Sequence, residues 1–245
     1  MKQQHSFAVM RGDRRQNLLC ELLLADGYPA QLLPPQEQWE QVNLPPPGSF
    51  LVTAKADDEL RCAAEDNGFL LLEYGKHPFF QAENGAITAE NALQIAMKQR
   101  LRTLRGSDCM VIGWGNIGKP LAHALMGLGA RVTVCVRREA QLCEIREMGY
   151  RFAHSSRLEE SAADQDIIFN TAPELLLTEP VLNRLRPGVL VLDLASKPGG
   201  VDRESAQALG IKTVQALALP GKITPVSAAV AIQKTVYLLC EEVRG

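Results

Sequence analysis

The sequence predicts an α/β protein: a doubly wound parallel sheet with a smaller flavodoxin-like α/β N-terminal domain. Three observations predict it. Short apolar runs alternate with helical patterns along the chain, which implies parallel strands covered by helices on both faces. The stretch Val111-Ile112-Gly113-Trp114-Gly115-Asn116-Ile117-Gly118 places strand, glycine turn and helix in immediate succession. Ahead of that turn, residues 7–33 form a βαβ-like unit of their own.

Taken in order, residues 7–10 are a short apolar strand and residues 11–16 a polar turn, with Asp13 a candidate N-cap. Leu18, Leu19, Leu22 and Leu23 give a helical stripe, and residues 28–33 a second strand. Prolines 34, 35 and 45–47 bracket a loop, because proline cannot donate to a sheet ladder. Residues 49–53 are a third strand. Residues 57–67 are a helix with Asp58 near its start and Gly68 as its C-cap, and residues 69–72 a fourth strand. Thr88 opens the next helix, which Ala92, Ile95, Ala96 and Gln99 continue towards Gly106. Thr88 and Glu90 are either site residues at the start of a linking helix or a plain cap with an acid in the first turn.

Beyond residue 107 strands are expected at 108–113, 131–136, 150–153, 166–170, 189–194 and 211–215. Helices are expected at 117–128, 138–148, 157–163, 178–185 and 202–208. Such a unit takes the strand order 3-2-1-4-5-6. The division expected is 1–87 for the smaller domain, 88–106 for the linking helix, 107–224 for the nucleotide-binding Rossmann domain, and 225–245 for a C-terminal helix returning to the first domain.

The glycine turn carries the first functional signal. Gly113 allows a tight turn, Gly115 lets backbone approach a pyrophosphate, and Gly118 lets helix and strand pack closely. The helix N-terminus faces the anion. Gly129-Ala130 then closes the helix and residues 131–136 supply the second strand. A whole βαβ unit is more specific than a lone GxGxxG. The plain alternative is a doubly wound domain that has lost its ligand.

Net charge −2 and 46% hydrophobic residues suit a packed core and argue against a general grip on nucleic acid or anionic lipid. No apolar run is long enough to span a bilayer, and the first residues lack a signal-peptide core. The cysteines at 20, 62, 109, 135, 143 and 240 form no CxxC, so buried thiols in a reducing cytoplasm are expected. The histidines at 5, 77, 123 and 154 show no metal-ligand spacing, and no metal is expected.

Ligands in open parallel sheets sit beyond the carboxyl ends of the strands. The second strand of the nucleotide unit ends in Val136-Arg137-Arg138, where an acid would suit the ribose of NAD. A guanidinium pairs instead with a 2′-phosphate, which favours NADP. Alternatively, Arg138 is solvated and Arg137 stacks on adenine. Asn170, Thr171, Ala195 and Ser196 end later strands, where they would flank a nicotinamide. Arg14 and Arg15 put positive charge at a helix start, facing an anionic substrate or only solvent. Lys197 and Lys222 have the same two readings.

With these segments in view, the chain resembles the A-type subunits of dipicolinate synthase. The resemblance is best from residue 107 onwards. It is carried by the glycine turn, Glu147-Met148-Gly149, Asn170-Thr171, Asp193-Leu194-Ala195-Ser196-Lys197-Pro198-Gly199-Gly200 and Leu219-Pro220-Gly221-Lys222. Upstream, Gly12-Asp13-Arg14-Arg15-Gln16 and Thr88-Ala89-Glu90 also match. Arg11 and Val226 depart from the family pattern, and the stretch 42–49 is short. The wider kinship is with two-domain 2-hydroxyacid dehydrogenases.

The resemblance implies NADP-linked oxidation of dihydrodipicolinate to dipicolinate during spore formation. It also implies, as partner, the flavoprotein-like second subunit of dipicolinate synthase, with a homo-oligomer expected besides. On this reading Arg15, Glu90 and Ser196 form the catalytic set. Gly113, Gly115, Asn116, Ile117, Gly118, Arg137, Arg138, Asn170, Thr171, Ala195 and Ser196 hold the cofactor. Two alternatives stand beside it. A 2-hydroxyacid dehydrogenase needs a histidine paired with a carboxylate, and His77 and His154 are poorly placed for that. The other alternative is a non-catalytic nucleotide-sensing module.

Overall fold

Residues 5–244 are described by the structure, a computed structural model. The chain divides into two units: 1–87 with 220–245, and 88–219.

In the first unit the strands are β1 (Phe7–Met10), β2 (Ala30–Leu33), β3 (Phe50–Thr53) and β4 (Leu70–Glu73). All pair in parallel, in the order β2-β1-β3-β4. Successive side chains on a strand point to opposite faces, and the core follows that alternation. Phe7, Val9, Phe50, Val52 and Leu72 share one cluster, with Leu19 and Leu23 of helix α1 (Arg14–Ala25). Ile232, Val236 and Cys240, from the C-terminal helix Pro225–Arg244, complete it. Ala8, Leu33 and Leu51 face the other way, onto Trp39, Phe69 and, from helix α2 (Asp58–Asp66), Leu60 and Ala64.

The caps are local chemistry. Asp13 caps α1 in a capping box: its carboxylate accepts from the Arg15 N–H at 2.9 Å, and the Gln16 side chain accepts from the Asp13 N–H at 2.9 Å. The α2 cap is Asp57, one residue before the acid expected there; it accepts from the Leu60 N–H at 2.9 Å.

The next helix corrects the sequence reading. Helix α3 spans Pro78–Gln99, not 88–106. Thr88 does not cap it; Thr88 is buried in mid-helix, and Glu90 is an exposed mid-helix residue. The true start has Pro78 in the first position, where a missing N–H costs nothing. The His77 ring Nδ1 accepts from the Phe79 N–H at 3.2 Å. Asn84-Gly85 reads as a turn, but a glycine costs a helix only about 1 kcal/mol. Burial of Phe80, Ala89, Ala92, Leu93 and Ala96 outweighs that. The helix stops at Gln99, whose carbonyl accepts from Lys212 Nζ at 2.8 Å.

The second unit alternates regularly: β5 (Asp108–Ile112), α4 (Gly118–Gly127), β6 (Arg131–Val136), α5 (Glu139–Glu147), β7 (Arg151–His154), α6 (Leu158–Ser161) and β8 (Ile167–Asn170). α7 (Glu179–Arg184), β9 (Leu190–Asp193), α8 (Arg203–Ala208) and β10 (Lys212–Gln215) follow. The six strands are parallel in the order β10-β9-β8-β5-β6-β7. Counted from β5 this is the expected 3-2-1-4-5-6, and the winding reverses between β5 and β8. Met110, Ile112, Cys135, Ile168 and Val191 pack with Leu158, Leu177, Leu182 and Ala206. The alternate residues Cys109, Val111, Val134, Phe169 and Leu192 are buried as well, as both-sided coverage requires.

Leu219-Pro220-Gly221-Lys222 follows the last strand, and its Pro-Gly pair has the local signature of a turn. It lies in a short helix, α9 (Leu219–Ile223), followed by the C-terminal helix, α10. A proline in the first turn removes no helical hydrogen bond, so the Pro-Gly signal misleads here. Four of the cysteines are buried, while Cys62 and Cys143 are exposed, so the buried reading holds for part of the set. Burial pushes the Cys109 and Cys135 thiols up to about 12, leaving them neutral. Among the described residues no helix is long and apolar enough to cross a membrane.

Asp13 gives a test of the first unit. The side-chain hydrogen bond from Arg15 holds its carboxyl below the ordinary 3.8. Its contribution is therefore full above that value and lost as pH falls through the lowered one. Asp13→Asn should unfold at lower urea than wild type at pH 7, by no more than ~1 kcal/mol for so exposed a pair. The gap should close in urea titrations run progressively below the ordinary value.

Candidate dinucleotide site

A cavity of about 570 Å³ opens where the loops after β5, β6 and β8 meet. Gly113, Gly115, Asn116, Ile117, Arg137, Arg138 and Thr171 all line it, with Trp114, Gln141, Ser155 and Glu174 beside them. The three glycines do different work. Gly113 takes φ 103°, and a Cβ there would meet Thr171 Oγ1 at 2.4 Å. A Cβ on Gly118 would sit 2.1 Å from the Gly113 carbonyl oxygen, so this glycine lets α4 close onto the turn. A Cβ on Gly115 would meet nothing within 4 Å. Its backbone is open to approach at the N-terminal end of α4, which is where a pyrophosphate is held. The residues present fit a dinucleotide.

Thr171 and Asn170 play another part than the one expected. The Thr171 hydroxyl donates to the Ile112 carbonyl at 2.8 Å, tying the loop after β8 to the end of β5. Asn170 is fully buried and does not line the cavity. Its Nδ2 donates to Asp193 Oδ1 at 2.8 Å and to the Ala172 carbonyl at 3.0 Å. Asp193, itself buried, accepts from the Ala195 N–H at 3.3 Å and the Gly200 N–H at 3.1 Å. Ala195 is buried and Ser196 exposed, and neither lines the cavity. Both follow β9 in the loop that Asp193 shapes.

At the end of β6, Arg137 Nη1 donates to Glu174 Oε2 at 2.8 Å. The Arg137 carbonyl pairs with His154 Nε2 at 2.9 Å. His154 Nδ1 accepts from the Ser156 N–H at 3.2 Å, which leaves Nε2 as the donor. The Arg138 guanidinium has no ion-pair partner among the described residues. On the glycine turn, Trp114 packs edge-on to Tyr150 with centroids 5.6 Å apart, and Lys119 lies over its face.

Arg15 lines a different cavity, of about 280 Å³, in the first unit, with Met10, Gly12, Thr53 and Tyr74. It is not a free cation. Nε and Nη2 bind Asp13 at 2.9 and 2.8 Å. Gln16 Nε2 donates to the Tyr74 hydroxyl at 2.8 Å, and burial raises that hydroxyl above its ordinary value. A Cβ on Gly221 would lie 2.7 Å from Asp13 Oδ2 and 3.1 Å from Arg15 Nε, so α9 packs directly on the pair. Glu90 lines neither cavity, and no histidine does. Lys197 and Lys222 are exposed.

In the sequence Asp193 is visible at a strand end but without its role as the buried acceptor, and Glu174 and Tyr74 are not visible as site residues. Asp193 had a signal, since an acid ends an otherwise apolar buried strand. Glu174 and Tyr74 had none, because their partners are distant in sequence.

Residues 85–239 match the family described as alanine dehydrogenase/PNT, C-terminal domain. The chain belongs to that family. Such alanine dehydrogenase/PNT-type domains imply a nicotinamide dinucleotide. The chain is 37% identical over 162 residues to the A-type subunit of dipicolinate synthase from Bacillus subtilis (strain 168), which is 66% of this chain and 54% of that protein. It therefore matches just over half the length of that relative. The crystal structure of the dipicolinate synthase A chain from Bacillus subtilis superposes with TM-score 0.84 at 25% identity, covering 100% of this chain and 98% of that one. The crystal structure of the A-type dipicolinate synthase subunit from Bacillus halodurans gives 0.82 at 24% identity, covering 96% and 97%.

For this alanine dehydrogenase/PNT-type domain, Gly115→Ala and Gly118→Ala should separate. Gly118→Ala should lower unfolding stability by ~1–3 kcal/mol through overpacking. Gly115→Ala should fold with stability within ~0.5 kcal/mol of wild type yet bind dinucleotide more weakly. Urea unfolding and calorimetric titration together test this. Equal destabilisation by both would contradict the division of labour.

Proposed function

We propose that this chain oxidises dihydrodipicolinate to dipicolinate with NADP, alongside a second, flavoprotein-like subunit. The observation that carries the reading is the 37% identity to an A-type subunit of dipicolinate synthase. The paired Arg137 and Arg138 on the wall of the glycine-turn cavity support the choice of NADP. When bound, the cofactor supplies a hydride acceptor at its nicotinamide. The substrate gives up one hydride and one proton, so NADPH, a proton and the aromatic diacid are the products.

The chain's own residues hold and orient. Gly115 and the start of α4 hold the pyrophosphate, and Arg137 and Arg138 meet the 2′-phosphate. Thr171 keeps the β5 end fixed through the Ile112 carbonyl. Ser196 offers a hydroxyl from the loop after β9. On the substrate side Arg15 has Nε and Nη2 committed to Asp13, which leaves Nη1 to meet a substrate carboxylate beside the Tyr74 hydroxyl. Asp13 thus acts as the residue that aims Arg15. Glu90 has no part in this reading.

Two outcomes are expected. NADP should bind more tightly than NAD by ~1.5–3 kcal/mol, the worth of a hydrogen bond between charged groups; calorimetric titration measures it, and equal affinities would count against NADP. Arg15→Ala should raise the KM for dihydrodipicolinate by about tenfold or more and leave NADP affinity unchanged. The assay uses both subunits and freshly made substrate, following dipicolinate by absorbance. No dipicolinate from the wild-type pair would overturn the assignment.

A further inference from the structure

We propose that Glu174 sets how strongly the chain prefers NADP, by competing with the cofactor's 2′-phosphate for Arg137. The inference rests on the dinucleotide reading of the glycine-turn cavity and deepens it.

Arg137 follows β6 and Glu174 lies in the loop after β8, and both line the cavity. Their ion pair at 2.8 Å joins the two walls. The main chain has a neighbour at each end. The Arg137 carbonyl is held by His154 Nε2, and the Glu174 carbonyl lies so close to Gly200 that a Cβ there would come within 2.8 Å of it. The pair itself is made by the two side chains alone. Both are exposed, at 67% and 53%, so the pair is weak and opens readily.

A 2′-phosphate presents a second anion to the same guanidinium. It competes with the Glu174 carboxylate for Nη1, or binds the remaining N–H groups and lies near that carboxylate, and like charges at short range repel. A 2′-hydroxyl makes no such demand. It leaves the pair closed and can donate to a carboxylate, as it does to the acid of NAD sites. Arg138, without an ion-pair partner among the described residues, meets the phosphate with no competition. Glu174 therefore weakens NADP binding selectively, and the chain discriminates less than two arginines alone would.

Calorimetric titration of wild type and Glu174→Gln with NADP, NAD, adenosine 2′-phosphate and AMP tests this. Glu174→Gln should tighten NADP and adenosine 2′-phosphate by about fivefold, the equivalent of one exposed pair of ~1 kcal/mol. NAD and AMP should stay within about twofold. In an Arg137→Gln background the same change should relieve only repulsion, so the gain should shrink. Equal shifts for phosphorylated and unphosphorylated ligands, or no gain for NADP, would overturn the proposal while leaving the dinucleotide reading standing. If neither protein binds any of the four, that reading falls and takes the proposal with it.

Discussion

One buried carboxylate organises the nucleotide-binding unit. Asp193 ends β9 opposite Asn170, which ends β8, and the two are register partners. A carboxylate out of water costs several kcal/mol unless hydrogen bonds replace its hydration. Asp193 meets that demand with the Asn170 amide and the N–H groups of Ala195 and Gly200. Satisfying it shapes two loops. A Cβ on Gly199 would reach 2.7 Å from Asp193 Oδ2, and one on Gly200 would reach 2.2 Å from Asn170 Nδ2. Both glycines of the Pro-Gly-Gly segment are therefore needed for the carboxylate to be wrapped. The next residue after Asn170 is Thr171, whose hydroxyl fixes the end of β5 and against which Gly113 must have no side chain. The glycine turn is held from a distance by an acid that never reaches the cavity.

The first unit solves a related problem at its surface. Asp13 caps α1 and chelates Arg15 with the same carboxylate, so helix start and guanidinium direction are one feature. Gln16 continues the chain of contacts to Tyr74, and Gly221 closes over the pair. Two short motifs far apart in sequence, Gly12 to Gln16 and Leu219 to Lys222, become neighbours through this packing. An arginine held this way loses little rotamer freedom on meeting a planar carboxylate.

Much of this is legible in the residues alone. Short continuous apolar runs separated by 3.6-period stripes specify both sheets, and the order of the six-stranded sheet follows from the βαβ pattern. Asp13 is readable as a cap because caps are local. What is not legible depends on neighbours remote in sequence. Asn84-Gly85 and Pro220-Gly221 carry the local signature of turns, yet both lie in helices because burial or close packing outweighs a propensity of about 1 kcal/mol. Thr88 and Glu90 look like a helix start for that reason and are not one. The arginines at the end of β6 are visible, but Glu174, 37 residues on, is not. Site geometry hangs on such pairs, so the candidate site is less readable than the fold.

The first unit is discontinuous, built from residues 1–87 and 220–245 around an uninterrupted second unit. Synthesis runs from the N-terminus, at about 5–20 residues per second. Phe7, Val9, Leu19 and Leu23 emerge before residues 88–219, but Ile232, Val236 and Cys240, which complete their cluster, are made after them. The unit that starts first must finish second, its apolar face bare while residues 88–219 are being translated and folded. A product cut short of α10 would carry one finished unit and one open apolar face.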